Sequence, residues 1–328
     1  MNFYNLNKKK FPFVIAEIGN NHEGNFDTAV KLINAAKIAD VDAVKFQTFK
    51  TENFINKNEK KRFKKLKKFE LSYEEFYKLS KIAKKKNLKF ISTPLDKESA
   101  FFLKSIVNIF KISSGDNNYY DLIEQVLSYK KPTIISTGMM NIKDIKDLIT
   151  IARKKKFSLS KLAMLHCVSS YPVQNQHANL LSIKYMIEKL PVTVGYSDHT
   201  IGTIAPICAA ILGAKILEKH FTLDNNFSSF RDHKLSLNPN DMKTMVNQIK
   251  KVDSLMGKKE KKPNFLELKT ESEMRRSLYA KSNIRKGQKI SVNDINVVRP
   301  FVHLSPNDLK KIVGKKFIKN FKSGSPII

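Results

Sequence analysis

Cysteine and long apolar runs are scarce in this chain of 328 residues. Its two cysteines, Cys167 and Cys208, are not at metal-ligand spacing and lie in apolar stretches, so a reduced, cytoplasmic setting is expected. No apolar run approaches the roughly 20 residues that a membrane helix needs, and the mean hydropathy is −0.35. Residues 1–11 contain lysines without a following apolar segment, which argues against a secretory signal.

Acidic residues are also few, since 30 Asp and Glu stand against 60 Lys and Arg and leave a formal net charge of +30. Such an excess makes a protein that binds RNA or a membrane the rival class of function. The lysines are spread along the chain, with the densest cluster at 57–68, and no RNA-binding or helix-turn-helix signature accompanies them. We interpret the charge as a solvated surface and expect neither a nucleic-acid nor a membrane partner. A positive field of this kind also concentrates an anionic substrate.

A glycine-rich nucleotide fingerprint is missing after the first predicted strand, where Gly19 and Gly24 do not form one. The chain instead repeats a unit of a short β-branched run, a polar turn and a helical segment. The eight strand runs are residues 13–18, 43–48, 89–93, 109–113, 133–136, 162–167, 192–196 and 215–220. Strands that alternate with helices pair in parallel through right-handed crossovers. This pattern predicts an α/β fold with a (β/α)8 TIM barrel, and a doubly wound open sheet is the alternative.

The character of the chain changes near residue 257. We assign residues 1–257 to the TIM barrel, residues 258–273 to a charged linker and residues 274–328 to a small C-terminal domain. Within that domain, residues 275–280 and 297–300 are typical of strands. It is too small for a second enzyme, and we expect it to act as a clamp or lid.

Polar residues cluster at the C-terminal ends of the predicted strands, which is the face where such barrels carry their active sites. In chain order they are Glu17, Lys45, Gln47, Thr93, Lys111, Ser114, Asp116, Ser136, Ser169, Tyr171, Ser197, His199, Glu218 and His220. Hydroxyls, two lysines and loop glycines together suit a phosphate or carboxylate. Two imidazoles on adjacent strand ends, with oxygen ligands from substrate and water, suit a divalent ion such as Mn²⁺. Glu17 and Glu218 are the candidate acid–base carboxylates.

Four other histidines receive structural interpretations. His166 lies in an apolar run, and we expect a buried histidine whose hydrogen bonds are satisfied. His22 is interpreted as a loop residue without a ligand role. His177 and His303 lack motif partners and are expected to be structural or exposed.

Six ordered motifs and a C-terminal pair resemble those of the bacterial sialic acid synthases, the family of N-acetylneuraminate, legionaminate and pseudaminate synthases. The motifs are AEIGNNH at 16–22, VKFQT at 44–48, FKISSGD at 110–116, ISTGM at 135–139, GYSDHT at 195–200 and EKHFTLD at 218–224. The C-terminal segment, with RRSL at 275–278 and RP at 299–300, resembles the antifreeze-like (SAF) domain that these enzymes carry. The resemblance covers nearly the whole chain.

The resemblance implies condensation of phosphoenolpyruvate with N-acetylmannosamine or a related N-acetylated hexose, with release of phosphate, in a homodimer with swapped C-terminal domains. The implied catalytic residues are Glu17, Glu218 and Lys45. The implied phosphoenolpyruvate site consists of Lys45, Thr93, Lys111, Ser114, Ser136, Ser169 and Ser197. The implied sugar site consists of Gln47, Asp116, Tyr171, Asp232 and Arg276. His199 and His220 would bind Mn²⁺, with Mg²⁺ or Co²⁺ as alternatives.

Several positions depart from the family pattern and leave the sugar open. The family often has Glu at Asp116 and Asn at Ser169, and commonly reads Gly-Pro where this chain has Phe230 and Arg231. The alternative substrate is a 2,4-diacetamido-trideoxyhexose, as used by legionaminate or pseudaminate synthases, and Tyr196 argues against the pseudaminate type. A more distant alternative is a Schiff-base aldolase that captures pyruvate through Lys45 or Lys111.

Overall fold

The chain forms two compact units, Met1–Gly257 and Lys258–Ile328, in a computed structural model. The structure describes residues 1–328, apart from the side chain of Asp253. Within the described residues, no helix combines the length and the apolar character needed to cross a bilayer.

The first unit is a closed barrel of eight parallel strands that are hydrogen-bonded in sequence order, so the predicted (β/α)8 barrel is confirmed. The strands are β1 (Phe13–Gly19), β2 (Ala43–Thr48), β3 (Lys89–Pro94), β4 (Ile109–Ile112), β5 (Thr133–Ser136), β6 (Leu162–Cys167), β7 (Thr193–Asp198) and β8 (Ile216–His220). The main difference from prediction is at β7, which continues two residues beyond Tyr196. Ser197 and Asp198 are therefore strand residues with Cα partners on β8.

Eleven α-helices belong to this unit. They are α1 (Phe26–Ile38), α2 (Thr51–Phe54), α3 (Lys60–Phe69), α4 (Tyr73–Lys85), α5 (Lys97–Leu103), α6 (Tyr120–Ser128), α7 (Ile142–Lys154), α8 (Leu181–Lys189), α9 (Ile204–Ile211), α10 (Arg231–Leu235) and α11 (Pro239–Met256). Short polar side chains begin several of them, since Asp96 accepts from the Ser99 amide and Asn141 caps α7. The lysines of residues 57–68, most of them on α3, are exposed, as expected for a solvated charge cluster.

Strand alternation sorts the side chains of the barrel into two sets. One apolar cluster fills the barrel interior towards the N-terminal ends of the strands, which we call the lower interior. It includes Ile15, Ala43, Ile109 and Ile216. A second and larger cluster lies between the outer face of the strands and the helices. Two residues further along most of these strands, the inward positions change from apolar to polar, as from Ile15 to Glu17, and this change places the site inside the upper barrel.

The lower end of the barrel interior is closed by a 3-10 helix at Phe3–Lys8, which sequence patterning did not foresee. Phe3 and Leu6 are 0% and 1% exposed and pack into the lower interior cluster. Asn2 caps this helix by accepting from the Tyr4 amide. The N-terminal segment therefore acts as a plug for the apolar end of the barrel.

The second unit has its own core. Strands β9 (Ser277–Ala280) and β10 (Ile295–Val298) pair antiparallel, and the buried side chains include Leu278, Phe317 and Phe321. The segment expected to be a linker contains a helix, α12 (Phe265–Met274), because Asn264 and Glu267 form a capping box there. The last helix is α13 (Leu309–Ile312).

We predict that Phe3→Ala destabilises the barrel by about 3–5 kcal/mol, because it removes a fully buried aromatic ring from a packed interior. Equilibrium unfolding in urea measures the loss. Phe11→Ala is the matched control, since Phe11 is 38% exposed, and it should cost less than about 1 kcal/mol. Equal effects of the two substitutions would contradict the role of the plug.

Candidate active site

The polar end of the barrel interior is organised around the carboxylate of Glu218 on β8. Its Oε1 lies 3.5 Å from the Nζ of Lys45 and 3.6 Å from the Nζ of Lys111, and it accepts a 3.0 Å hydrogen bond from Ser197 Oγ. Lys45 also pairs with Glu17 Oε2 at 2.8 Å. All of these side chains are buried. Strands β1, β2, β4, β7 and β8 thus bring two cations and two carboxyl groups to one point.

The two carboxyl groups differ in electrostatic environment. Burial raises the pKa of Glu17 to about 7, and the attraction of Lys45 only partly offsets this. Burial also disfavours the charge of Glu218, but Lys111 and Lys45 outweigh it and lower the pKa of that carboxyl. Near neutral pH, Glu218 is therefore an anion, whereas Glu17 exists in both protonation states.

The two lysines also differ. Burial opposes the charge of Lys45, but Glu17 and Glu218 outweigh it and raise the pKa of Lys45. Burial lowers the pKa of Lys111, whose ammonium donates to Ser136 Oγ at 2.7 Å and to the Ile112 carbonyl at 3.2 Å. Nearby carboxylates thus stabilise the positive charge of Lys111 less than that of Lys45.

Hydroxyl groups from two loops converge beside Lys111. Ser114, in the 3-10 helix Ser114–Asp116 after β4, accepts a 3.1 Å hydrogen bond from the Gly138 amide. A Cβ atom at Gly138 would lie 2.2 Å from Ser169 Oγ and 2.7 Å from Ser114 Oγ. The absence of a side chain at Gly138 therefore lets these hydroxyls from the loops after β4 and β6 approach each other.

Several polar atoms at this end are buried and have no hydrogen-bond partner within the described residues. They include Thr93 Oγ1, Ser169 Oγ, Glu218 Oε2 and His220 Nδ1. Buried polar groups in native proteins are nearly always paired, so a cluster of unpaired ones is typical of a site that a polar ligand or water completes.

His199 and His220 lie side by side at the ends of β7 and β8, with ring centroids 5.4 Å apart. Burial lowers the pKa of His199. Burial, and the repulsion that His199 would exert if both rings were protonated, place the pKa of His220 well below its usual value, so both imidazoles are neutral. His199 Nδ1 lies 2.8 Å from the Val168 carbonyl and must donate to it. The Nε2 of His199 therefore carries a free lone pair.

A wall of the site comes from the loops after β6 and β8. The Tyr171 ring lies 4.1 Å from the His199 ring, between centroids, and the Arg231 guanidinium lies 4.6 Å from the Tyr171 centroid. Arg231 Nε also pairs with Asp232 Oδ1 at 3.2 Å. Asp232 is buried, which raises the pKa of its carboxyl despite Arg231. This wall presents both donors and acceptors.

Three of the predicted sugar contacts are held by other partners. Gln47 Oε1 accepts a 2.8 Å hydrogen bond from Asn20 Nδ2, and the Asp116 carboxylate accepts from Ser113 Oγ. Arg276 lies in the second unit, where its Nη1 donates to the Val297 carbonyl at 2.8 Å.

The four histidines with structural interpretations lie as follows. His166 is buried and its Nε2 is 2.9 Å from the Ala178 carbonyl, which agrees with a satisfied structural role. His177 and His303 are exposed. His22 is almost fully buried and accepts from the Gly24 amide at 3.1 Å, so it is more enclosed than expected for a loop residue.

Two residues of the site escaped the sequence analysis. In the sequence, Arg231 is only a position where the family commonly has proline. Its place next to Asp232, a predicted sugar contact, is the signal that could have identified it. Cys167 was placed in apolar surroundings, but its Sγ lies 3.8 Å from His199 Nδ1. Alternation from the inward-facing Leu165 would have predicted this orientation.

Comparisons with known proteins show the family of the chain. A sequence profile of the NeuB family matches residues 32–261, and one of the SAF domain matches residues 275–327. The N,N'-diacetyllegionaminic acid synthase of Legionella pneumophila is 36% identical, over 96% of this chain and 93% of that protein. The pseudaminic acid synthase of Campylobacter jejuni serotype O:2 is 34% identical, over 100% of this chain and 98% of that protein.

A solved structure supports the same assignment. The N-acetylneuraminic acid synthetase of Leptospira borgpetersenii, in complex with citrate, superposes with a TM-score of 0.74 at 33% identity. The match covers 79% of this chain and 90% of that protein. The fold, the two family matches and these relatives show that the chain belongs to the NeuB family of sialic acid synthases and carries a C-terminal SAF domain.

Proposed function

We propose that this enzyme condenses phosphoenolpyruvate with the open-chain form of an N-acetylated amino-hexose and releases phosphate. The observation that carries the proposal is the cradle of Lys45, Lys111 and unpaired hydroxyls beside the carboxyl groups of Glu17 and Glu218. Phosphoenolpyruvate carries a phosphate and a carboxylate on the same carbon, C2, and two buried ammonium groups with serine donors match that charge. The cradle mainly orients the reactant.

In the proposed reaction, C3 of phosphoenolpyruvate attacks the aldehyde carbon of the sugar and forms the new C–C bond. The double bond is consumed, positive charge develops at C2, and the aldehyde oxygen becomes a hydroxyl by taking up a proton. Water adds to C2 and gives up a proton. Cleavage of the C2–O bond to phosphate, with loss of the remaining hydroxyl proton, leaves a 2-keto acid and inorganic phosphate.

The pKa difference between the carboxyl groups assigns their roles in this proposal. Glu218 is an anion and is suited to accept the proton of the attacking water. Glu17, with a pKa of about 7, retains a proton in part of the population and is suited to protonate the aldehyde oxygen. Titratable groups whose environments separate their pKa values are typical acid–base pairs.

The histidine pair fits a divalent metal. Both imidazoles are neutral, and His199 is oriented by its bond to the Val168 carbonyl, as metal-binding histidines usually are by a second partner. Within the described residues, no group of three or more His, Cys, Asp or Glu side chains is placed to hold a metal. Water or substrate oxygens would therefore complete the coordination of a metal held by His199 and His220. This ligand set suits Mn²⁺, and Mg²⁺ or Co²⁺ are the alternatives. A metal held there would supply Lewis-acid polarisation of the sugar's carbonyl group.

The wall formed by Tyr171, Arg231 and Asp232 faces the sugar in this proposal. N-acetylmannosamine has one acetamido group, and a 2,4-diacetamido-trideoxyhexose has two. Arg231 supplies guanidinium hydrogen-bond donors at a position where the family commonly has proline. The carbonyl oxygen of a second acetamido group could accept a hydrogen bond from them. This observation favours the diacetamido sugar, in line with the legionaminic acid synthase relative.

Mass spectrometry of the product tests the function directly. The protein is incubated with phosphoenolpyruvate and, in separate reactions, N-acetylmannosamine and the diacetamido sugars of the legionaminate and pseudaminate series. We expect a nine-carbon 2-keto acid and one phosphate per product, with the highest kcat/KM for a diacetamido sugar. Preference for N-acetylmannosamine would overturn the role given to Arg231, and absence of any product would overturn the function.

The Schiff-base alternative is tested in the same reactions. Borohydride added with pyruvate would trap a covalent adduct on Lys45 or Lys111 if the enzyme were an aldolase. We expect no adduct, together with loss of activity after chelation and recovery with Mn²⁺. A trapped adduct with activity that survives chelation would favour the aldolase.

The metal site has its own prediction. His199→Ala and His220→Ala should each weaken Mn²⁺ binding by about 100-fold or more, because each removes a direct ligand. Titration of the metal-free protein with Mn²⁺ measures this without reference to turnover. His177→Ala is the control, since His177 is exposed, and it should bind like the wild type. Full metal affinity in both ligand variants would show that the metal lies elsewhere.

We also propose that the active enzyme is a homodimer in which the SAF domain of one chain completes the site of the other through Arg276. Apolar side chains remain exposed on both units, namely Phe265, Leu266, Leu268 and Met274 on or next to α12, and Leu181, Ile201 and Ile204 near α8 and α9. Exposed apolar side chains of this size favour association. Arginine presents a fixed fork of donors, which suits the positioning of a hydroxyl-rich sugar.

Complementation between inactive variants tests this arrangement. Arg276→Ala and His220→Ala are mixed in equal amounts under conditions of subunit exchange. Random exchange makes half of the dimers heterodimers of the two variants. If Arg276 acts in trans, each heterodimer has one intact site of two, so activity should return to about a quarter of wild type. No recovery, with exchange verified by native mass spectrometry, would mean that Arg276 acts within its own chain or not at all. Arg275→Ala is the control, because Arg275 pairs with Glu271 at 2.6 Å, and it should be active alone.

A further inference from the structure

A buried ion pair lies directly behind the two histidines. Lys219 on β8 and Asp198 on β7 are 0% and 1% exposed, and Lys219 Nζ lies 2.6 Å from Asp198 Oδ2. The two residues are Cα partners in the register of the two strands. His199 follows Asp198 in the chain and His220 follows Lys219, so the pair links the two strand ends that carry the imidazoles.

The pair faces away from the site. Tyr196 and Leu217, two residues earlier on the same strands, belong to the cluster between the barrel and its helices. Strand alternation places Asp198 and Lys219 on that outer face, whereas Ser197 and Glu218 face the interior. Neither member of the pair is therefore placed to touch a substrate in the interior, and any influence on the reaction must pass through neighbouring residues.

Further hydrogen bonds fix the turn around His199. Asp198 Oδ1 accepts from the Tyr196 hydroxyl and from the Thr200 amide, each at 2.9 Å. Lys219 Nζ also donates to the Thr200 carbonyl. The Asp198 side chain thus reaches past His199 to the Thr200 amide. The ammonium of Lys219 binds the carbonyl of Thr200. The backbone on both sides of His199 is tied to the residue that precedes His220.

We propose that Asp198 and Lys219 are positioning residues that set the relative placement of the His199 and His220 imidazoles and thereby the affinity for the metal. This inference rests on the proposed function, because it takes the two histidines as the metal ligands. A buried ion pair is costly to desolvate and is often replaceable by apolar residues without loss of stability. Its place between two ligand-bearing turns gives it a role beyond stability.

The test separates stability from positioning. Asp198→Asn and Lys219→Met alone each leave one buried charge unpaired and should lower the urea midpoint. The double variant D198N/K219M has no unpaired charge, and its new side-chain amide retains an oxygen for the Tyr196 and Thr200 donors. We expect its midpoint to return towards the wild type while its Mn²⁺ affinity, titrated on the metal-free protein, stays about 10–100-fold weaker. Its kcat should recover at high Mn²⁺, unlike that of His199→Ala.

A matched control lies on another strand pair of the barrel. Thr48 and Ser92 form a buried hydroxyl pair between β2 and β3, with their oxygens 2.7 Å apart. The double variant T48V/S92A removes this pair from strands that carry neither histidine and should bind Mn²⁺ as the wild type does. Equal weakening in both double variants would attribute the effect to general loosening of the barrel and overturn the inference.

The remaining outcomes are also decisive. A folded D198N/K219M that binds Mn²⁺ within about twofold of wild type would overturn the positioning role and leave the proposed function intact. Wild-type protein that binds no Mn²⁺ would overturn the metal site and this inference with it. If the double variant does not fold, Tyr196→Phe removes only the hydroxyl donor to Asp198 and should weaken Mn²⁺ binding about fivefold. Unchanged affinity in Tyr196→Phe would then overturn the inference.

Discussion

Two lysines and two glutamates share the buried upper interior of the barrel, and their mutual compensation is what allows charge to exist there. An isolated charge in such a place is strongly disfavoured by desolvation. Glu218 is held as an anion by Lys45, Lys111 and Ser197, while Glu17 has only Lys45 close by and keeps a raised pKa. The unequal sharing of two cations between two carboxyl groups thus gives two glutamates different pKa values.

The same interior must satisfy two opposite requirements along its length. Its lower half is filled by aliphatic side chains and by the N-terminal plug of Phe3 and Leu6, which excludes water from below. Its upper half leaves hydroxyl and carboxylate atoms without protein partners. An apolar layer below and an incompletely satisfied polar layer above are a suitable arrangement for the proposed binding of an anion with a phosphate and a carboxylate in one orientation.

The outer face of the strands carries a second polar network. Tyr196, Asp198, Lys219 and the Thr200 backbone form a closed network behind the histidines. Its members alternate along β7 and β8 with residues that face the interior. One strand therefore carries both a group of the site and a group that holds the neighbouring turn, because the side-chain period of a strand is two.

Much of this arrangement followed from the sequence alone. Eight apolar runs alternating with helical segments determined the barrel, and the polar residues that end those runs determined which side chains meet, because parallel strands bring their C-terminal ends to one face. The side-chain period of two along a strand explains why Glu17, Lys45, Lys111 and Glu218 point inward in the folded barrel. What the chain order does not contain is the distance between residues on different strands. Only the folded barrel decided that Glu218 lies between both lysines, that Arg231 covers Tyr171, and that Lys219 pairs with Asp198 rather than with solvent. These contacts depend on strand register and loop course, which arise from the packing of the whole barrel and not from any local pattern.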